Sequence, residues 1–227
     1  ANNIFGYQEI IRAGGEDILP SGLKFVSVAG ISAIIMDHLG ESFVEKTKQG
    51  KTGVNQTFIR GVTELTNKTT VSGSLLHQKG VDVFKASLRK WYSTLSSSNL
   101  VTEETVDTID SISAPQLSGS QSALMLLDFT PDNVFVNDRV SFIDPWKQDA
   151  YLGTPIPSWG QFTTLAEDIY HLPDSDRLTA DLKELSFSVG YNLGLDKNQI
   201  KSQYLMGKAL QYSLSAYVRR SSAPQMA

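Results

Sequence analysis

The stretch Ala123-Leu-Met-Leu-Leu-Asp128-Phe-Thr-Pro-Asp-Asn133-Val-Phe-Val-Asn-Asp-Arg-Val-Ser-Phe-Ile-Asp144-Pro-Trp146 decides the fold. An apolar run ends at Asp128 and a polar loop follows it. Two short branched runs, 134–136 and 140–143, then flank Asn137-Asp138, a pair that tolerates the positive φ of a tight turn. The segment therefore reads as a strand, a loop and a β-hairpin. Asp128 and Asn133 share the loop, and the return of the hairpin brings Asp144 back beside them. Three oxygen-bearing side chains converge in this way, and hard oxygen donors are what magnesium takes.

Outward from this window, residues 4–12 carry a helical pattern that ends at Gly14-Gly15. Residues 23–28 and 31–36 are branched, strand-like runs parted by Ala29-Gly30, which predicts an antiparallel hairpin. From Glu41 to about Leu100 the pattern is mostly helical, with one helix over 58–77 and another over 81–95, broken at Lys79-Gly80. Residues 101–120 are acidic and then rich in Ser, Gly and Pro, and read as a long surface connection. After the central window, 153–160 contains Pro155 and Pro157 and reads as a turn-rich surface segment, while 163–170, 177–193 and 197–219 are helical.

The composition sets bounds on function. With 41% hydrophobic and 19% charged residues, the chain has the makeup of an ordinary globular protein, long enough for one large core or two modest lobes. A net charge of -4 without long runs of one sign argues against a nucleic-acid groove or binding to an anionic membrane surface. No cysteine is present, which removes disulfides, thiolate zinc sites and thiol nucleophiles and fits a reducing, cytoplasmic setting. The three histidines, His38, His77 and His171, are scattered, so a histidine metal cage is not expected and structural roles are. The longest apolar runs are far short of the roughly 20 residues that span a bilayer, and the opening Ala1-Asn-Asn-Ile-Phe-Gly6 has neither a signal-peptide pattern nor an initiator Met, which points to a true N-terminus elsewhere.

Asp128-Phe-Thr-Pro-Asp-Asn133 resembles the Asp-x-x-Pro-x-Asn catalytic loop of the protein-kinase-like superfamily, in the branch of aminoglycoside phosphotransferases and related small-molecule kinases. Phe142-Ile-Asp144 resembles the metal-binding Asp of that superfamily after an apolar strand, and Pro145 behind it is nearer to the small-molecule relatives than to the Phe-Gly of protein kinases. Residues 34–40, Ile-Ile-Met-Asp-His-Leu-Gly, resemble the strand and hinge that hold adenine. Residues 165–170 resemble the start of the large helix whose buried Asp, here Asp168, ties down the catalytic loop.

The resemblance implies an α+β, protein-kinase-like fold, made mainly of a helical C-lobe, with a small catalytic β cluster and a partial N-lobe. Residues 1–40 would form the partial N-lobe, and 41–227 the C-lobe with its catalytic loop at 126–146. It implies ATP and Mg2+ as cofactors and a γ-phosphoryl transfer to a hydroxyl of a small molecule or protein. Asp128 would be the base, Asn133 and Asp144 would ligate magnesium, Met36 would be the gatekeeper, and backbone groups of Asp37 and Leu39 would face the adenine. The glycine-rich loop and phosphate-binding Lys of the family would lie before Ala1, and Glu9 is a candidate to pair with that Lys, with Tyr7 competing for the place.

Three positions depart from the family pattern. Leu126 stands where the family has His, Leu127 where Arg or Gly precedes the catalytic Asp, and Thr130 where Lys or His is common. These departures support the alternative reading of a catalytically inactive kinase-like protein serving as a scaffold or regulatory partner. The group Lys46, Lys48 and Lys51 reads as a solvated loop, with contact to an anionic substrate as the other option.

Overall fold

The computed structural model describes residues 2–29, 31–72, 121–126, 129–145 and 150–222, together with Arg89, Ser93, Ser96, Thr102 and Glu104. The helix expected over 81–95, the connection over 101–120, His77, Leu127 and Asp128 lie outside the described residues or almost wholly so. The architecture is α+β, with small antiparallel sheets set among helices.

Helix α1 (Asn2–Arg12) buries Tyr7 and Ile10 and closes at Gly14, whose φ of 81° is open to glycine at little cost. Strands β1 (Lys24–Val28) and β2 (Ile31–Ile35) form the expected hairpin, with Lys24 opposite Ile35 and Val28 opposite Ile31. The pairing runs on past the strand end, because the Asp37 N–H donates to Ser21 O at 2.8 Å.

Helix α2 (Phe43–Lys48) starts on a full capping box: Ser42 Oγ accepts the Glu45 N–H, and Glu45 accepts the Ser42 N–H at 2.7 Å. Helix α3 (Val54–Thr69) is earlier and shorter than the pattern over 58–77 predicts. Its last turn holds Thr66, Thr69 and Thr70, which return their hydroxyls to carbonyls three or four residues back. The branched run then favours extended backbone, and the chain passes into β3 (Val71–Ser72). Thr69 Oγ1 also accepts the Leu124 N–H at 3.0 Å, which fastens α3 to the next strand.

That strand, β4 (Gln121–Leu126), lies at the centre of a three-stranded sheet between β3 and β7 (Ala150–Gly153). Its register sets Ala123 against Gly153 and Leu126 against Ala150. Strands β5 (Val134–Val136) and β6 (Val140–Phe142) form the second hairpin of the window, with Val134 opposite Phe142.

Residues 153–160 are not a surface segment. They hold the end of β7 and most of helix α4 (Ile156–Thr164), every residue of which is buried. Pro155 caps this helix and Pro157 falls in its first turn, where a missing N–H costs nothing. A π-helical turn (Leu165–Ile169) follows, then α5 (Ser175–Asn192) and α6 (Lys197–Ser222). Helices α4 and α6 meet backbone to backbone: a Cβ on Gly207 would stand 1.9 Å from Pro157 O, and one on Gly160 2.2 Å from Tyr204 O.

At the centre, Phe43, Phe58, Phe129, Phe142 and Phe162 form an aromatic cluster, with Phe58 stacked on Phe162 at a centroid distance of 4.5 Å. Among the described residues no helix is long and apolar enough to cross a membrane.

Candidate functional site

Asp128 falls outside the described residues. Phe129, the next residue, is 4% exposed and packs on Phe58, Phe142 and Phe162 at 5.8, 5.7 and 5.4 Å. The loop is therefore anchored in the aromatic core at its second residue. Pro131 is buried, and the Asn133 N–H donates to Thr130 O at 3.1 Å, a β-turn with Pro at its second position.

Asn133 and Asp144 are brought together at the open end of the β5–β6 hairpin. The Ile143 N–H donates to Asn133 O at 3.0 Å, one step beyond the Val134–Phe142 pair, and Asp144 follows directly. Asp144 is exposed and has φ of 61°, a left-handed conformation that is uncommon outside glycine and needs support from its surroundings. Pro145 behind it is buried.

The support comes from α1. The Asp144 N–H donates to Tyr7 Oη at 3.2 Å, and Tyr7 is 1% exposed. Burial pushes the Tyr7 phenol above its usual range, the hydrogen bond from the Asp144 backbone pulls it down, and the Asp144 charge adds to the rise. Gly6 permits the approach, since a Cβ there would meet Pro145 O at 1.9 Å. Glu9, the other candidate on α1, turns instead to Arg12 in an exposed pair one turn along the same helix.

The opposite end of the hairpin touches the segment after β2. Asn137 Nδ2 donates to Leu39 O at 3.0 Å, while Lys46 Nζ binds Val136 O at 2.5 Å and Asn137 Oδ1. Arg139 reaches Leu19 O at 3.3 Å and Ser21 Oγ at 2.7 Å, and a β-bridge joins Ser42 to Phe135. Met36 is half-buried against the core, while Asp37 is exposed. The N–H of Asp37 donates to Ser21 O. Leu39 touches the tip of the hairpin, and Asn133 and Asp144 lie at its open end.

Several expectations change. Asp168 is not buried under the loop; it is half-exposed on the π-helical turn and accepts a hydrogen bond from Tyr212 of α6. That bond pushes the Tyr212 phenol up to about 12. Glu167 beside it pairs with Lys208 at 3.0 Å. His171 has its Nδ1 3.0 Å from Glu167 O, a structural role as expected. The three lysines divide: Lys48 and Lys51 are exposed, Lys48 lying 5.9 Å over the Tyr170 ring and Lys51 pairing with Glu41, while Lys46 of α2 grips the hairpin.

The donor chemistry suits magnesium. Among the described residues no cluster of three or more His, Asp and Glu forms a metal cage. Asn133 and Asp144 offer two oxygen donors at one hairpin end. Magnesium takes one or two protein ligands and fills its shell with water and phosphate oxygens. A groove of about 280 Å3 does open elsewhere, between the α2–α3 turn and the start of α5, lined by Lys51, Asn55, Asp174 and Arg177 among others. It is separate from the Asn133 and Asp144 end.

No protein-family model matches the sequence, and no curated protein matches it. Solved structures similar to the chain include a glucosamine kinase at 12% identity and TM-score 0.46, over 92% of this chain and 62% of that one. A thermostable mutant of aminoglycoside phosphotransferase APH(4)-Ia in its apo form is similar at 10% identity and TM-score 0.43, over 98% and 85%. ADP-bound aminoglycoside phosphotransferase APH(2'')-Ib is similar at 14% identity and TM-score 0.42, over 90% and 81%. The chain thus spans less than two thirds of the glucosamine kinase structure.

Proposed function

We propose that this chain is the catalytic part of a magnesium-dependent phosphotransferase of the protein-kinase-like fold, moving the γ-phosphoryl of ATP to a hydroxyl of a small molecule or protein. Residues 1–40 belong to its smaller lobe and 41–227 to its helical lobe. The observation that carries the reading is the meeting of Asn133 and Asp144 at one end of the β5–β6 hairpin, through the Ile143–Asn133 bond. There the two side chains would hold magnesium. Bound there, the ion would supply charge neutralisation on the transferring group, which beside positioning is what this reaction asks of a protein. Asp128, in the loop anchored by Phe129, orients the acceptor hydroxyl and takes its proton. Met36 and the backbone of Asp37 and Leu39 take the adenine, beside the tip of the same hairpin.

The test is thermal unfolding with ATP and magnesium. A ligand at one hundred times its Kd stabilises by about 2.7 kcal/mol, which for a chain of this length raises Tm by about 5–10 °C. The rise should need magnesium and vanish in Asp144→Ala, while Asp128→Ala should keep it and lose turnover. A second reading, a kinase-like scaffold without catalysis, draws on Leu126, which is apolar and 5% exposed at the place of the family's His. A wild-type chain that shows neither the shift nor ATP turnover would establish that second reading over the first.

A further inference from the structure

The most constrained backbone near the proposed cation site belongs to Asp144, and α1 is what constrains it. A residue with a side chain stays in the left-handed region only where neighbours over-determine it. Here two adjacent residues of α1 do so in different ways. Tyr7 Oη accepts the Asp144 N–H at 3.2 Å, and Gly6, lacking a Cβ, lets the helix close on Pro145 O. The Tyr7 ring is itself fixed, 1% exposed and 6.2 Å from the Phe25 ring of β1. The hydroxyl holds the peptide before the Asp144 Cα and the Gly6 contact holds Pro145 after it, so the φ of 61° lies between two fixed groups.

We propose that Tyr7 is a positioning residue of the cation site: its hydroxyl holds the Asp144 backbone in the left-handed conformation that aims the carboxylate at the ion. The inference rests on the reading of Asp144 as a cation ligand. It assigns to a phenol on α1 the task of coupling that helix to the metal, a task that the exposed Glu9 does not perform.

The experiment measures Mn2+ affinity by electron paramagnetic resonance in the presence of a non-hydrolysable ATP analogue, for wild type, Tyr7→Phe and Asp144→Ala. Tyr7→Phe keeps the ring and removes only the oxygen. It should bind Mn2+ about 3- to 10-fold more weakly, the worth of one hydrogen bond, with metal-free nucleotide affinity unchanged. Asp144→Ala should lose the ion altogether. If Tyr7→Phe binds as wild type does while Asp144→Ala fails, the positioning role is wrong and the site reading stands. If wild type does not bind, or Asp144→Ala binds equally well, the site reading falls and takes this inference with it. A measurement on the unaltered protein guards against a variant that does not fold: the Asp144 amide should exchange slowly with solvent in NMR, and fast exchange would overturn the proposal.

Discussion

Replacing Phe129 with Ala removes the ring that ties the Asp128 loop to the core. Phe129 is 4% exposed and meets three aromatic neighbours, so little solvent is available to relax the gap. Truncating such a buried Phe costs about 3–5 kcal/mol, transfer and cavity together. For a chain of this length that corresponds to a fall in Tm of about 6–20 °C. Urea unfolding followed by tryptophan fluorescence would read the loss as a lower midpoint at constant slope. Phe129→Leu, which keeps most of the volume, should recover well over half of it. A Phe129→Ala protein within about 1 kcal/mol of wild type, below the range for a buried Phe, would refute the idea that the loop is anchored by this cluster.

Other perturbations test the frame. Gly207→Ala drives a methyl into Pro157 O and should cost about 1–3 kcal/mol by overpacking, read by the same denaturation. Ser42→Ala removes the α2 cap and should cost about 1 kcal/mol. Tyr204, pushed up to about 12 by burial, and Tyr212, pushed up to about 12 by its bond to Asp168, should ionise last in an ultraviolet titration. Because the folded pKa of Tyr212 is raised, its contribution to stability is whole below about pH 10 and lost as pH climbs to about 12. Tyr212→Phe should flatten stability across that window. Glu41 has the opposite sign: hydrogen bonds from Lys51 and Gln49 lower its pKa, so its contribution holds above the unfolded pKa of about 4.5 and fades on acidification through the lower folded value, a slope that Glu41→Gln should remove.

The central hairpin was legible because branched runs flank Asn137-Asp138, and that alone places Asn133 and Asp144 together. Helix α4 was hidden for two reasons. Its prolines look like turn residues although they sit at the cap and first turn, and a helix buried on all sides shows no amphipathic stripe. The burial of Tyr7 was within reach, since Tyr7 and Ile10 lie three apart on one face of α1. Asp168 went astray because a local pattern does not tell which neighbour a half-exposed carboxylate meets, and the partner, Tyr212, lies 44 residues on. Lys46 and Asn137, 91 residues apart, pair only through the fold.

Gly40, with φ of 73° just beyond Leu39, has the look of a free joint between the first 40 residues and the rest. The grip on the hairpin tip denies it that freedom. Asn137 holds Leu39 from one side of the glycine, while the Ser42–Phe135 bridge and Lys46 hold the same hairpin from the other. A door cannot swing when its frame is nailed to both leaves, and backbone freedom at Gly40 alone does not make a hinge there.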